Sequence, residues 1–429
     1  MKNQTSNNIL IHTHGCKLNQ ADSDNMSRAF VSAGYNIVDS ISAADIYVLN
    51  TCTVTSTADS KARQALRSAH KRNPKALIVA AGCYSQRAED ELAQMQEVSL
   101  VVKNTEKDNI VALINNARNV DESALSRIEQ PLDTVLSRCR AMVKIQEGCN
   151  QICSYCIVPK VRGREKSIPS STLISHVNSL VSEGYKEVVL TGTQLGSYGF
   201  DLPGSSLPHL IERILQETEI PRLRVSSLQP QEISQDLLNL WSNERLCPHF
   251  HMPLQSGSNK ILRAMRRKYT TDQFCKSVDF IRANVPNVAI TGDLIIGFPG
   301  ETDSDFKETQ TLVSNIFFSN LHMFPYSKRP GTSATYLNGH VSPVIKKERF
   351  TALNEIVKDS FTDFRNKFLH TTQKVLWESH KIVNEEHYWK GITENYIRVQ
   401  TKTNRNIRNT ITEAKLQLLE DDCVWAIIR

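Results

Sequence analysis

Cys149-Asn150-Gln151-Ile152-Cys153-Ser154-Tyr155-Cys156 places three cysteines at C-x3-C-x2-C spacing in one short loop. Thiolates are soft ligands, and a tight loop can set three sulfurs on one face of an iron–sulfur cube. Three ligands leave one iron of a 4Fe–4S cluster open to a small molecule. Zinc sites usually take four ligands from two pairs, and the chain has no second C-x2-C pair. Val143 to Gly148 leads into the loop and reads as a strand.

Working outward, the N-terminal third alternates strands and helices. Ile9–Thr13, Asp45–Asn50, Ala76–Ala81 and Ser99–Val102 read as strands. Helices are predicted over 19–32, 58–72 and 86–95. That alternation argues for a parallel α/β sheet. Cys16, Cys52 and Cys83 each lie just past the carboxyl end of one of these strands. In an open parallel sheet such ends line one crevice, so three thiols distant in sequence become neighbours and candidate ligands of a second metal site. Buried core cysteines are the plainer reading, but those fall more often inside strands. Cys139, Cys247, Cys275 and Cys423 have no partner spacing and read as core or incidental.

After Cys156 the alternation resumes. Strands are expected over 187–191, 223–227, 249–252, 289–296 and 320–325. Helices are expected over 170–183, 206–216, 235–241, 259–265 and 303–313. With the strand before Cys149 this makes six β/α units, too few to close an eight-stranded barrel. Polar residues crowd the strand ends: Gly192 and Gln194, Ser227, Gln255 and Asp293. Each alone reads as a turn, and Arg267 as a solvated helix face. A charged helix over 343–368 follows. From Thr372 helical periodicity stops, and short strands at Lys374–Glu378, Tyr396–Val399 and Cys423–Ile428 suggest a small β-barrel.

Composition sets the outer bounds. The chain has 429 residues, 40% hydrophobic and 22% charged, with net charge +6. That is ordinary for a soluble globular protein of several domains. No run of 18 apolar residues predicts a membrane span, and Met1 to Asn8 lacks a signal-peptide core. Ten cysteines in such a pattern suit a reducing compartment, so a cytoplasmic location is expected. Residues 1–130 carry 14 Lys/Arg and 14 Asp/Glu, whereas residues 365–429 carry 11 against 8. The tail, with Lys390, Arg398, Lys402, Arg405 and Arg408, is thus the most basic segment. Small basic barrels with aromatics commonly bind RNA, although a solvated face is the alternative.

The cysteine loop resembles that of the radical S-adenosylmethionine (SAM) enzymes, where Tyr155 also matches a usual aromatic. His14–Gln20, Asn50–Thr55 and Gly82–Gln86 resemble the three N-terminal motifs of the methylthiotransferases. Gly391–Tyr396 resembles the TRAM domain that ends them, and Phe324–Thr332 their closing barrel motif. The resemblance implies an α/β fold in three parts. These are an N-terminal parallel α/β domain (1–120) and, after a linker (121–138), an open (β/α)6 radical SAM barrel (139–370). A small antiparallel TRAM-like β-barrel (371–429) completes the chain.

The same resemblance implies two 4Fe–4S clusters, one on Cys149, Cys153 and Cys156 and one on Cys16, Cys52 and Cys83. All six cysteines are then catalytic and metal-ligating. Tyr155, Gly192, Gln194, Ser227, Gln255, Arg267 and Asp293 are the implied SAM-binding residues. SAM bound at the open barrel iron would be cleaved to a 5′-deoxyadenosyl radical. The implied partners are tRNA, a flavodoxin- or ferredoxin-type electron donor and a sulfur source, with no membrane.

Cys16-Lys17-Leu18-Asn19 and Asn50–Thr55 look most like the MtaB group. Its substrate is N6-threonylcarbamoyladenosine at position 37, beside the tRNA anticodon. Ala21-Asp22 departs from the aromatic and glutamate common there. Isopentenyladenosine tRNA and a ribosomal-protein aspartate are the alternative substrates. An RNA-binding protein with structural metal sites is the alternative of another class.

Overall fold

The computed structural model describes residues 7–119, 138–420 and 422–429. The expected linker over 121–138, apart from Arg138, lies outside the described residues, as do the first six.

The first unit is a five-stranded sheet. Its strands are β1 (Asn8–Thr13), β2 (Asn36–Ile37), β3 (Ile46–Thr51), β4 (Leu77–Gly82) and β5 (Leu100–Val102), in the order β2-β1-β3-β4-β5. Every pairing is parallel. All six residues of β3 are buried, as a strand covered on both faces requires. Alternation divides them: Ile46 and Val48 pack under Met26 and Phe30 of helix α1 (Lys17–Ser32). Tyr47 and Leu49 pack under Ala62 and Leu66 of helix α2 (Ser56–Arg72). The helix expected over 86–95 starts earlier and is split into α3 (Cys83–Arg87) and Glu89–Ala93, with the break at Ala88. Gly82 makes the early start possible. Its φ is +102°, and a Cβ there would fall 2.6 Å from Asn50 Oδ1 and from the Thr51 carbonyl.

The second unit begins with β6 (Arg140–Lys144) and the short antiparallel pair β7 (Gln146–Glu147) and β8 (Lys166–Ser167). β9 (Glu187–Thr191) pairs with β6, and β10 (Arg222–Val225) with β9, in the order β10-β9-β6. β11 (His249–His251), β12 (Ala289–Ile296) and β13 (Asn320–Pro325) form a second sheet, and a parallel bridge from Ser227 to His251 joins the two. Six parallel strands thus follow one another in an open arc, as the six expected units require. Helices Val158–Arg162 and Thr271–Asn284 were not among those expected.

Helix Pro343–Asn366 leads to the third unit, a closed barrel. It contains β14 (Thr372–Val383), β15 (Glu386–Thr393), β16 (Arg398–Lys402), β17 (Ile411–Glu420) and β18 (Cys423–Ile428). Sequence patterning missed β15 and β17. The expected antiparallel barrel has one parallel seam, β16 against β18. Five strands cannot close with every neighbour antiparallel, so one seam has to differ. Trp377 and Trp389 fill the interior. Among the described residues no helix is long and apolar enough to cross a membrane.

A cavity lined by six cysteines

The barrel cysteine loop is pinned on both sides. Gly148 precedes it at φ +77°, pressed so tightly on the Arg164 carbonyl that no Cβ would fit. Cys149 N donates to the Gly163 carbonyl at 3.1 Å. Ser154 N donates to the Met265 carbonyl at 3.0 Å, and Ala334 N donates to the Ser154 carbonyl at 2.7 Å. Two donors face sulfur: Gln151 N lies 3.4 Å from Cys149 Sγ and Arg267 Nη1 lies 3.4 Å from Cys153 Sγ. Donors of this kind hold thiolates in orientation and stabilise their charge. Burial pushes the Cys156 thiol up to about 12 and raises that of Cys149. A thiolate there therefore needs a cation, and iron ligation would supply one.

The other three cysteines follow adjacent strands. Thr13 pairs with Asn50 and Thr51 with Gly82, so the ends of β1, β3 and β4 are in register. The loops they feed hold Cys16, Cys52 and Cys83. A Cβ on Gly15 would stand 2.7 Å from that of Cys52, so glycine lets the first two loops meet. Asn19 of the first motif binds the His14 and Thr51 carbonyls, and Asn50 of the second binds the Asn19 carbonyl. These asparagines staple the loops together. Asn104 Nδ2 lies 3.5 Å from Cys83 Sγ, and burial raises the Cys52 thiol to about 12.

Both cysteine sets open onto one cavity of about 430 Å³ between the first and second units. Tyr155, Gly192, Gln194, Ser227, Gln255, Arg267 and Asp293, the seven SAM-binding candidates, also line it. A hydrogen-bonded chain runs along its wall. Arg267 donates to Gln229, Gln229 donates to Gln194, and Gln194 donates to Glu232. Burial lifts the Glu232 carboxyl to about 7. Sequence reading missed Gln229 and Glu232, although both belong to the polar run after β10 that includes Ser227. Burial opposes ionisation of Asp293, yet His251 at 3.0 Å and His322 hold its carboxyl below the usual range. Gln255 sits at φ 65°, a strained conformation for a residue with a side chain.

The donor set fits the expected groups. Each site offers three soft sulfurs, with N–H groups directed at Cys149, Cys153 and Cys83. Thr193 Oγ1, on the cavity wall, is buried without a hydrogen-bond partner, and a polar ligand would satisfy it. Among the described residues no three His, Cys, Asp or Glu converge as ligands of one metal ion do. Thiolates on separate corners of a cube stand farther apart than that. At the rim, Phe324 and Val54 are 45% and 54% exposed, which gives apolar surface where a base could stack. Cys139, Cys247, Cys275 and Cys423 do not line the cavity.

Contacts between the units brace the cavity. Asp22 on α1 accepts from Lys107, Lys144 and Arg162, joining the first unit to the second. Ala21 beside it packs on Met142 and Val189. The Ala21-Asp22 departure thus has a structural role at this boundary. Arg329, in the closing motif after β13, reaches back to Asp59 and Thr53 beside the Cys52 loop. In the third unit Tyr396 stacks on His249 with ring centroids 4.4 Å apart, and Arg222 and Arg224 of β10 bind carbonyls of that unit.

Comparison with known proteins agrees with this architecture. A family described as "Uncharacterized protein family UPF0004" matches residues 8–103, and the radical SAM superfamily matches residues 143–313. The threonylcarbamoyladenosine tRNA methylthiotransferase MtaB of Aquifex aeolicus is 39% identical, covering 91% of this chain and 96% of its own. The Bacillus subtilis protein of that name is 35% identical over 95% of this chain and 93% of its own. The tRNA-2-methylthio-N(6)-dimethylallyladenosine synthase of Clostridium tetani is 33% identical over 97% and 94%. Among solved structures, the radical SAM methyltransferase TsrM of Kitasatospora setae matches with a TM-score of 0.55 at 13% identity, over 77% of each chain.

Proposed function

The chain belongs to the radical SAM tRNA methylthiotransferases, and we propose that it adds a methylthio group to C2 of N6-threonylcarbamoyladenosine at position 37, beside the anticodon. As a radical SAM enzyme it uses SAM and a 4Fe–4S cluster. Cys149, Cys153 and Cys156 would hold that cluster, and Cys16, Cys52 and Cys83 a second one. When bound, these groups supply the hydrogen abstraction and the sulfur.

The observation that carries this reading is the single cavity onto which all six cysteines open. A base placed there meets both cysteine sets at once. The chain's own residues do the positioning. Tyr155, Gly192, Gln194, Ser227, Gln255, Arg267 and Asp293 would seat SAM, and Phe324 at the rim would stack the base. The pinned loops hold the sulfurs, and the Asp22 and Arg329 contacts keep the two sets facing each other. Residues 371–429 would grip the tRNA. A flavodoxin- or ferredoxin-type donor, a sulfur source and a cytoplasmic location complete the reading.

The choice of substrate follows the MtaB relatives, at 39% and 35% identity. The 33% likeness to a dimethylallyladenosine synthase favours a second reading, with an uncharged N6 substituent. Mass spectrometry of tRNA nucleosides from a deletion strain separates the two. Loss of the methylthio derivative of threonylcarbamoyladenosine supports the proposal. Loss of the dimethylallyl derivative instead refutes it.

A further inference from the structure

Most cations buried or half-buried around the cavity have acidic partners. Arg162 is held by Asp22 and Glu147, Lys144 by the same pair, and Arg329 by Asp59. Where the three units meet, Arg140 pairs with Glu378 and Arg224 with Glu187. Arg267 has no carboxylate, but it faces Cys153 Sγ and Gln229 on the cluster side.

Lys17, the first residue of α1, differs from both groups. Among the described residues no carboxylate lies within ion-pair distance of it. Its Nζ has Ser226 Oγ at 3.5 Å and the ring of Tyr396, 5.9 Å to the centroid. Two acids feel its charge at longer range, and both are already taken: Glu187 by Arg224 at 2.8 Å and Asp293 by His251 at 3.0 Å. Lys17 is half-buried, so it is neither sealed in nor fully hydrated. Lys17 and Ser226 stand directly behind the cavity wall, whose lining includes their chain neighbours Cys16, Leu18 and Ser227.

A cation partly kept from water without an ion-pair partner of its own is costly, and a ligand carboxylate would offset that cost. The two candidate substrates differ in this respect. A threonylcarbamoyl group ends in a carboxylate, whereas a dimethylallyl group is an uncharged hydrocarbon. We infer that Lys17 receives the carboxylate of the threonylcarbamoyl substituent and thereby sets substrate choice. This inference rests on the substrate reading given above.

The test uses cluster-reconstituted protein with SAM and three synthetic anticodon stem–loop RNAs. Residue 37 carries threonylcarbamoyladenosine as the free acid, its methyl ester, or dimethylallyladenosine. Wild-type protein should bind the free acid about tenfold or more tightly than the ester. Lys17→Met should abolish that ratio while binding the ester as before, and Lys17→Arg should restore it. Iron content is measured on each variant, because Lys17 adjoins Cys16. An acid-to-ester ratio in Lys17→Met equal to that of wild type overturns the assignment, as does equal weakening of both ligands. Either result leaves the substrate reading standing. Wild-type preference for the dimethylallyl RNA would instead sink the substrate reading, and the assignment of Lys17 with it.

Discussion

The Asp22 carboxylate on α1 accepts a 2.9 Å hydrogen bond from Lys144 Nζ at the end of β6, across the boundary between the first two units. Lys107 and Arg162 bind the other oxygen of the same carboxylate, at 2.8 and 3.1 Å. Each unit carries one of the two three-cysteine sets that line the cavity, so this contact sets how the sets face each other.

Replacing Asp22 with Asn should therefore destabilise the protein strongly. Removing one partner from a buried ion network costs about 3–5 kcal/mol, because the remaining charges stay buried. Burial opposes ionisation of Asp22, but Lys107, Lys144 and Arg162 hold its carboxyl well below its ordinary value of 3.8. With the folded pKa depressed, the stabilisation is full above 3.8 and is lost as pH falls through the folded value. Denaturant midpoints of wild type and Asp22→Asn should differ at neutral pH and converge only in strong acid. Equal midpoints at neutral pH would show that the contact is incidental.

Glu232 predicts the opposite dependence. Burial raises its folded pKa to about 7 from 4.5. The folded state then holds a proton that the unfolded state has released, so stability falls as pH rises through that window. Across it, Glu232→Gln should gain roughly 2 kcal/mol relative to wild type in protein without SAM. A constant difference from pH 5 to 8, read by thermal melting, would mean that Glu232 is not desolvated.

The part of the site that repeats along the chain was legible in the sequence. Alternating strands and helices put Cys16, Cys52 and Cys83 at strand ends, and neighbouring parallel strands bring such ends together. The C-x3-C-x2-C loop was local and needed no fold to read. Contacts made between units were not legible. Nothing near Asp22 in the sequence points to Lys107, Lys144 and Arg162, and Gln229 and Glu232 acquire meaning only through Gln194 and Arg267. Some misses did have local signals. Helix Thr271–Asn284 opens with Thr270 and Gln273 in a capping box and buries Phe274, Val278 and Ile281 at helical spacing. In the tail, β15 and β17 place polar residues outward on a small closed barrel, which dilutes their apolar alternation.

Replacing Cys149, Cys153 and Cys156 together with Ala tests the barrel site. Reconstituted wild type should bind about eight irons and this variant about four, in keeping with two four-iron cubes. The variant should form no 5′-deoxyadenosine from SAM on reduction. An unchanged iron count would remove the barrel cluster from the account.

The tail should act on RNA alone. Lys402, Arg405 and Arg408 are exposed on the third unit, and Lys402 also pairs with Glu386 at 2.7 Å. Neutralising all three should weaken tRNA binding and flatten the log–log salt dependence by roughly two to three. Iron content and SAM cleavage should match wild type. An unchanged salt slope would move the RNA contact to the cavity rim.

If the two three-cysteine sites on one cavity do different work, one variant separates them. Cys16, Cys52 and Cys83 are replaced together by Ala. The protein is then reconstituted, reduced, and given SAM with tRNA bearing threonylcarbamoyladenosine. Both 5′-deoxyadenosine and the methylthiolated nucleoside are quantified. In this variant 5′-deoxyadenosine should still form while the methylthio product is absent. Methylthiolated tRNA from this variant would contradict that division of work.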